Sequence, residues 1–300
     1  MKNPLGIHAL VWAGSWNSEH REKAIALSAK YGYDLIEIPL LEPREIDVSG
    51  TVKLLEQYNL KAATSLALSP QTDISSPEPD IVTKGETLLN EALLVARDLG
   101  ANYLGGVLYS ALQKYNSPPD EVGRHHCIEV LARLADKAKQ LGITIGLEAV
   151  NRYESNLINT AAQALEIIAK TGLDNIVVHL DSFHMNIEEK SFSEAITLCA
   201  EKLGYFHIGE SNRGYLGSGT IDFAGIFKSL RDNHYTGVIT FESFSSTVVT
   251  PHLSNALALW RNLWDDSEKL AHHAKDFMDK HLHSTESPSS LFLNQLLPHK

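Results

Sequence analysis

The sequence contains few of the residues that cross-link a chain or anchor it in a membrane. Only two cysteines occur, Cys127 and Cys199. Both fall in segments that predict helices, and we expect buried reduced thiols rather than a disulfide. No window reaches the roughly 18 apolar residues of a membrane span, and the first residues lack the pattern of a signal peptide. These absences predict a soluble, cytoplasmic protein with no membrane partner.

Basic residues are also too few for a general nucleic-acid binder. The chain has 26 Lys and Arg residues against 37 Asp and Glu residues, which gives a formal net charge of -11. A nucleic-acid-binding protein would need a basic face instead. The 300 residues are 43% hydrophobic, which is ample for a full core. This length suits one barrel domain or two smaller domains, so it does not decide the domain count.

The chain alternates short apolar segments with amphipathic segments along its length. Strands are predicted at 6–12, 34–39, 61–67, 102–108, 143–148, 176–181, 205–207 and 237–242. Helices are predicted at 19–30, 48–58, 80–99, 120–141, 160–170, 193–201, 223–232 and about 254–281. Eight strand–helix units predict an α/β fold, a (β/α)8 TIM barrel that forms a single domain over residues 1–283. Residues 284–300 are rich in Ser and Pro, and we expect a flexible tail.

An open doubly wound sheet is the alternative fold for this alternation. It would usually carry a glycine-rich phosphate-binding turn after the first strand. The chain instead has the segment VWAGSW at 11–16. The barrel is therefore the favoured architecture.

Four consecutive predicted strands end on an acidic or imidazole side chain: Glu148, Asp181, His207 and Glu242. Taken singly, such residues are more often helix caps, solvated acids or core histidines. The carboxyl ends of barrel strands meet on the face that carries the active site, so we expect these four to converge. Three carboxylates so close together would repel one another strongly without a cation. The set predicts a divalent-metal site that favours Mn²⁺, with Co²⁺ or Mg²⁺ as alternatives and Zn²⁺ left open.

Three polar motifs around these residues carry a family resemblance. They are EAVNRYE at 148–154, LDSFHMNIEE at 180–189 and HIGESNR at 207–213. Together they resemble the D-tagatose 3-epimerase and D-allulose (D-psicose) 3-epimerase family of ketose 3-epimerases, which are xylose-isomerase-like TIM barrels. The resemblance extends to about His283. It implies a metal-dependent isomerase of carbohydrate metabolism that inverts C3 of a free ketose such as D-tagatose, D-allulose or D-fructose, and a homodimer or homotetramer.

The resemblance also implies roles for individual residues. Glu148 and Glu242 would be the catalytic pair, one removing the C3 proton and the other returning it on the opposite face through a cis-enediolate. The metal would bind the C2 carbonyl and C3 hydroxyl oxygens and stabilise that enediolate. The residues expected to contact substrate are Glu154, His184, Arg213, His8 and Val107.

Two positions depart from the family pattern. His8 stands where the family commonly has Tyr or Phe, and Leu112 lies in a segment where it tends to have Trp. The exchange of an apolar wall for the hydrogen-bonding His8 should alter the contacts with the distal sugar carbons. The sequence therefore leaves the preferred ketose open.

Three other functions remain as alternatives. An aldose–ketose or hydroxypyruvate-type isomerase shares a similar ligand set on the same barrel, although Glu154, His184 and Arg213 in their motifs favour epimerisation. An endonuclease IV-like hydrolase would need further metal ligands and a basic DNA face, and neither is evident. A non-catalytic sugar-binding module would not need two glutamates flanking one carbon.

Overall fold

Eight parallel strands close into a barrel in their sequence order in the computed structural model, which describes residues 2–283. The strands are β1 (Leu5–His8), β2 (Leu35–Pro39), β3 (Lys61–Ser65), β4 (Tyr103–Gly105), β5 (Thr144–Glu148), β6 (Ile176–Asp181), β7 (Leu203–Ile208) and β8 (Val238–Phe241). Pairing of β1 with β8 closes the barrel, with Leu5 opposite Ile239. The predicted (β/α)8 barrel is confirmed. The tail predicted at 284–300 lies outside the described residues.

Helices surround the barrel and connect its strands. They are α1 (Ser18–Lys30), α2 (Val48–Gln57), α3 (Pro79–Asp98), α4 (Glu121–Gln140), α5 (Ala161–Thr171), α6 (Ser182–Glu188), α7 (Phe192–Leu198), α8 (Phe223–Asp232), α9 (Pro251–Ala256) and α10 (Ser267–His283). Four helix-to-strand turns place a glycine at φ between 72° and 75°: Gly32, Gly100, Gly142 and Gly172. Only glycine adopts this left-handed conformation without strain, which explains the glycines at these joins.

The structure differs from the sequence prediction after the first strand and after the last strand of the barrel. β1 ends at His8 rather than at residue 12, because Ala9–Val11 form a short 3-10 turn. His8 Nδ1 accepts a hydrogen bond from the Leu10 N–H and so caps this turn. The region predicted as one helical stretch near 254–281 contains two helices, α9 and α10. Ala258 follows α9 at φ 52°, a left-handed conformation that ends the helix.

An aromatic layer fills the part of the barrel interior nearest the strand starts. It consists of Leu35, Ala63, Tyr103 and Tyr205. The rings of Tyr103 and Tyr205 stack with their centroids 4.2 Å apart. A Cβ at Gly146 would lie only 1.9 Å from the Tyr103 hydroxyl oxygen, so this position must be glycine to admit the ring. The aromatic layer therefore fills this end of the barrel interior with packed side chains.

The next layer of the interior is polar. Successive side chains alternate between the two faces of a strand, so a residue two positions after the aromatic layer also points inward. Glu37 follows Leu35 in this way on β2, and His207 follows Tyr205 on β7. Glu37 is 0% exposed and His207 is 1% exposed. The barrel interior thus changes from aromatic to ionisable within one repeat of the pleat.

Two further expectations can be compared with the fold. Cys127 and Cys199 are both buried free thiols, as the sequence predicts. Among residues 2–283, no helix is both long enough and apolar enough to cross a lipid bilayer.

Candidate active site

Four side chains from β5 to β8 meet at the carboxyl end of the barrel. Glu148 ends β5, Asp181 ends β6, His207 lies on β7 and Glu242 directly follows β8. All four are buried, and their ligand atoms lie within 4.8 Å of one another. The structure therefore brings together the four residues that the sequence nominated. We call this group the carboxylate–histidine cluster.

The donor atoms of the cluster fit a divalent cation. His207 Nδ1 lies 3.4 Å from Glu148 Oε1 and 3.6 Å from Glu242 Oε1. Within the described part of the chain, His207 Nδ1 and Asp181 Oδ2 are buried and have no hydrogen-bond partner. Buried polar atoms are normally paired, so two atoms without hydrogen-bond partners in a group of ligand atoms within 4.8 Å of one another are suited to a cation. The buried cluster can hold a metal ion.

The electrostatics of the cluster lead to the same conclusion. Burial raises the pKa of Glu148 and Glu242 above the ordinary range, and it raises the pKa of Asp181 to about 6. Burial alone would lower the pKa of His207, but the carboxylates of Glu37, Glu242 and Glu148 raise it well above its usual value. The site concentrates negative charge that a bound cation would neutralise.

Arg213 supplies positive charge to the same cluster. Its Nη1 atom lies 3.0 Å from Asp181 Oδ2 and 2.9 Å from Glu242 Oε2. These contacts are ion pairs without hydrogen-bond geometry at Nη1. The guanidinium carbon lies 4.0 Å from the ring centroid of Phe183 and 5.2 Å from that of Phe244. The two rings hold the cation against the carboxylates through cation–π contacts.

The backbone of Arg213 is held in an uncommon conformation. Its φ angle is 58°, in the left-handed region that non-glycine residues seldom adopt. The Ser243 hydroxyl donates to the Arg213 carbonyl oxygen at 2.5 Å, and Trp264 Nε1 donates to that hydroxyl at 2.8 Å. Such strain persists where surrounding contacts fix the conformation and is common at functional sites.

His184 faces the cluster from α6, and Glu154 faces it from the loop after β5. His184 Nε2 lies 3.7 Å from Asp181 Oδ2 and 3.9 Å from Glu154 Oε2. Burial lowers the pKa of His184 well below its usual value, so the ring is neutral. Its Nδ1 accepts from the Asn151 N–H at 3.1 Å, which assigns the ring proton to Nε2, facing the cluster. The Asn151 amide also donates to Glu154 Oε1 at 2.8 Å.

Glu154 differs from an ordinary surface acid. Burial raises its pKa to about 7, and nearby Arg213 only partly offsets the effect. A carboxyl group with this pKa exchanges protons near neutral pH. Glu154 can therefore both donate and accept hydrogen bonds at the pH at which most enzymes work.

His8 lies on the opposite side of the cluster, at the end of β1. Its Nε2 atom is 3.4 Å from Ser65 Oγ and 3.6 Å from Glu37 Oε1. Burial lowers the pKa of His8 to about 4, so the ring is neutral near pH 7. Because Nδ1 accepts from the Leu10 N–H, Nε2 carries the proton and donates towards the barrel interior.

A cavity of about 260 Å³ opens above the cluster. Its inner wall is polar and includes His8, Glu148, Glu154, His184, Arg213 and Glu242. The rest of its lining is largely apolar and includes Leu41, Val107, Leu112, Leu257 and Trp260, together with the cation Arg261. The sequence-nominated His8, Val107 and Leu112 therefore all line the same cavity. A small molecule with a polar reactive end fits this division of the walls.

Comparison with known proteins places the chain in a family. A family model described as xylose isomerase-like TIM barrel matches residues 25–281. The L-ribulose 3-epimerase of Methylomonas sp. (strain DH-1) is 50% identical over 91% of this chain and 96% of that protein. The ketose 3-epimerase of Arthrobacter globiformis is 45% identical over 91% of this chain and 95% of that protein. The chain belongs to the ketose 3-epimerases.

A solved structure of the family supports the same assignment. The crystal structure of D-allulose 3-epimerase from Methylomonas sp. in complex with D-allulose has a TM-score of 0.92 to this epimerase. The two are 48% identical, and the match covers 93% of this chain and 97% of that chain. The family resemblance drawn from the sequence is confirmed. Like its relatives, this epimerase is an isomerase, which excludes the non-catalytic sugar-binding module.

Sequence reasoning missed two residues of the epimerase site, Glu37 and Asn151. Glu37 is fully buried, and its Oε2 atom accepts a hydrogen bond from His207 Nε2 at 2.7 Å. It lies in the middle of β2 rather than at the end of the strand. The signal for it is an acid inside an otherwise apolar strand, LIEIP. Asn151 lies inside a motif that was recognised, but its contacts with His184 and Glu154 depend on the fold of the loop.

Proposed function

We propose that the protein inverts the configuration at C3 of a free ketose of five or six carbons, using a divalent metal ion. The observation that carries this proposal is the buried cluster of Glu148, Asp181, His207 and Glu242 at the base of the cavity. The names of its relatives, L-ribulose 3-epimerase and D-allulose 3-epimerase, support ketoses of these two sizes.

Glu148 and Glu242 are the proposed proton-transfer pair. They come from β5 and β8, three strands apart around an eight-stranded barrel, so they approach a sugar in the cavity from different sides. One group, as the carboxylate, removes the C3 proton and becomes a carboxylic acid; the other, which starts as the carboxylic acid, gives its proton to C3 on the opposite face of the enediolate and becomes the carboxylate. Burial raises the pKa of both groups, which makes each a stronger base than a solvated glutamate. Two bases on two faces are what inversion at one carbon requires.

The metal ion would be held by all four residues of the cluster. When bound, it would supply Lewis-acid polarisation of the ketone oxygen and so acidify the neighbouring C–H bond. We infer Mn²⁺ as the preferred ion, with Co²⁺ or Mg²⁺ as alternatives, because three of the four donors are carboxylate oxygens. Buried His207 Nδ1, which has no hydrogen-bond partner, supports the binding of a cation here but does not distinguish among these ions.

Other residues of the cavity bind and orient the sugar in this proposal. Arg213 keeps its charge beside Asp181 and Glu242 and stabilises negative charge that develops on substrate oxygens. His184 donates through Nε2, and Glu154 exchanges hydrogen bonds with sugar hydroxyls. His8 and Val107 contact the sugar carbons that lie farther from the reacting C3. On the family resemblance we further propose a cytoplasmic homodimer or homotetramer.

The decisive experiment measures where deuterium from deuterated water enters the product. Metal-loaded protein is incubated with free and phosphorylated ketoses, and the products are analysed by NMR. We expect deuterium at C3 of an epimeric ketose. An aldose product or deuterium at C1 would instead indicate an aldose–ketose isomerase and overturn the proposal.

A substitution in the proton-transfer pair provides the second arm. Glu242→Gln keeps an oxygen ligand but removes the base, so turnover should fall by about 10²–10⁴-fold. The matched control is Glu86→Gln, because Glu86 pairs with Arg133 on the outer surface of the barrel. The control should retain wild-type turnover. Full activity of Glu242→Gln would contradict the proposed chemistry.

A further inference from the structure

Glu37 makes a close contact with one member of the cluster without belonging to the cluster itself. Its Oε2 atom accepts a hydrogen bond from His207 Nε2 at 2.7 Å, across 170 residues of sequence. The side chain is 0% exposed. Burying a carboxylate costs several kcal/mol unless the carboxylate is paired. The hydrogen bond with His207 gives Glu37 such a partner.

The hydrogen bond decides which nitrogen of His207 carries the lone pair. Because the Nε2–H group donates a hydrogen bond to Glu37, a neutral His207 has its free lone pair on Nδ1. That Nδ1 atom is buried, lacks a hydrogen-bond partner and lies within 3.6 Å of oxygens from Glu148 and Glu242. The bond to Glu37 thus directs the donor atom of the imidazole at the other members of the cluster.

The second oxygen of Glu37 faces His8, another residue of the cavity. His8 Nε2 lies 3.6 Å from Glu37 Oε1, and this nitrogen carries the ring proton because Nδ1 accepts a hydrogen bond from the Leu10 N–H. Glu37 therefore lies between two imidazole rings and accepts from one while facing the donor of the other.

We propose that Glu37 is a positioning residue for the metal ion, which rests on the proposed metal-dependent function. It holds the His207 ring in one orientation and one tautomer, so that Nδ1 is the ligand, and it increases the basicity of that nitrogen. A carboxylate that accepts the second N–H of a metal-binding histidine typically contributes 10–100-fold to metal affinity. Glu37 acts through His207 and does not contact the substrate carbon in this scheme.

The test compares Mn²⁺ affinity among three variants, measured from the electron paramagnetic resonance signal of free Mn²⁺. Glu37→Ala removes the acceptor, and its dissociation constant should rise by about 10–100-fold. Glu37→Gln keeps an acceptor but loses the charge, so its affinity should lie between those of wild type and Glu37→Ala. The matched control is Thr64→Val. The Thr64 hydroxyl is also buried, but it donates to the Tyr103 carbonyl oxygen, 2.6 Å away, and not to a residue of the cluster. The control should bind Mn²⁺ like wild type.

Two further measurements separate positioning from a general loss of stability. ¹⁵N chemical shifts of His207 in protein loaded with diamagnetic Mg²⁺ should show a protonated Nε2 in wild type and Glu37→Gln, and a mixture of ring states in Glu37→Ala. At saturating Mn²⁺ the KM for ketose should be unchanged in Glu37→Gln. If Glu37→Ala does not fold, the nearly isosteric Glu37→Gln still decides through its Mn²⁺ affinity.

The outcomes distinguish this inference from the proposed function. If wild type binds no Mn²⁺ or does not epimerise a ketose, the proposed function fails, and this inference fails with it. If wild type does both, but the Glu37 variants bind Mn²⁺ as tightly as Thr64→Val does, only the role of Glu37 is overturned.

Discussion

Replacing Arg213 by Met should destabilise the metal-free protein far more than the metal-loaded protein. Arg213 Nη1 lies 3.0 Å from Asp181 Oδ2 and 2.9 Å from Glu242 Oε2, and the guanidinium is almost fully buried. At an effective dielectric constant of about 20, each contact has a gross attraction of about 5–6 kcal/mol. Desolvation of the ions offsets much of this gain. Removing one partner of such a buried pair typically costs about 3–5 kcal/mol.

The bound metal changes that cost because it neutralises the same carboxylates. In the metal-loaded form, Arg213→Met should lose mainly the contacts with Phe183 and Phe244, worth about 0.5–2 kcal/mol. For a chain of this size, each kcal/mol shifts the melting temperature by about 2–4 °C. We therefore expect a drop of about 6–20 °C with EDTA and about 1–8 °C with saturating Mn²⁺. By linkage, the variant should also bind Mn²⁺ more tightly than wild type.

Thermal unfolding with EDTA and with Mn²⁺ measures both effects on the same samples. The control is Arg124→Met, because Arg124 pairs with Glu166 at 2.8 Å on the outside of the barrel. This control should lose no more than about 1 kcal/mol, with or without Mn²⁺. Equal losses for Arg213→Met in the two conditions would refute the idea that Arg213 and the metal neutralise a common set of carboxylates.

Two further predictions concern the cavity. Chelation should abolish epimerisation, and added Mn²⁺ or Co²⁺ should restore it; activity that survives complete metal removal would contradict the proposed mechanism. The pKa of Glu154 rises from 4.5 to about 7 on folding, so the folded state binds its proton more tightly and the Glu154 contribution to stability falls as pH rises through this range. Glu154→Gln has no titrating group at this position, so the variant avoids this loss of stability, which amounts to up to about 3 kcal/mol. The melting temperature of the variant minus that of wild type should therefore increase between about pH 5 and pH 8. A pH-independent difference would show that Glu154 titrates normally.

The convergence of the four cluster residues could be predicted because it depends only on strand order and direction. Parallel barrel strands bring their carboxyl ends to one face, so a polar residue at the end of each apolar run has a defined place. The bounds of β6, Ile176–Asp181, agree with the prediction for the same reason: a continuous apolar run ends at one acid. These features are local patterns combined with a single topological rule.

Features that depend on particular contacts could not be predicted in this way. The bond between Glu37 and His207 joins β2 to β7, and nothing in either segment names the other. The early end of β1 depends on His8 capping the turn that follows, which a strand-like apolar run conceals. The left-handed backbone of Arg213 depends on Ser243, thirty residues later in the chain.

The alternation of the strands links the fold of the barrel to the position of the metal cluster. Tyr205 and His207 lie two residues apart on β7, so any register that buries the Tyr205 ring against Tyr103 also directs His207 inward. A shift of one residue would turn both side chains out of the barrel. The apolar contacts of the aromatic layer thus hold the charged layer in place, and the free energy of burying the aromatic rings offsets part of the desolvation of the ionised groups. The position of the cluster therefore depends on the aromatic contacts of the barrel as well as on the ion pairs with Arg213, because the carboxylates alone repel one another.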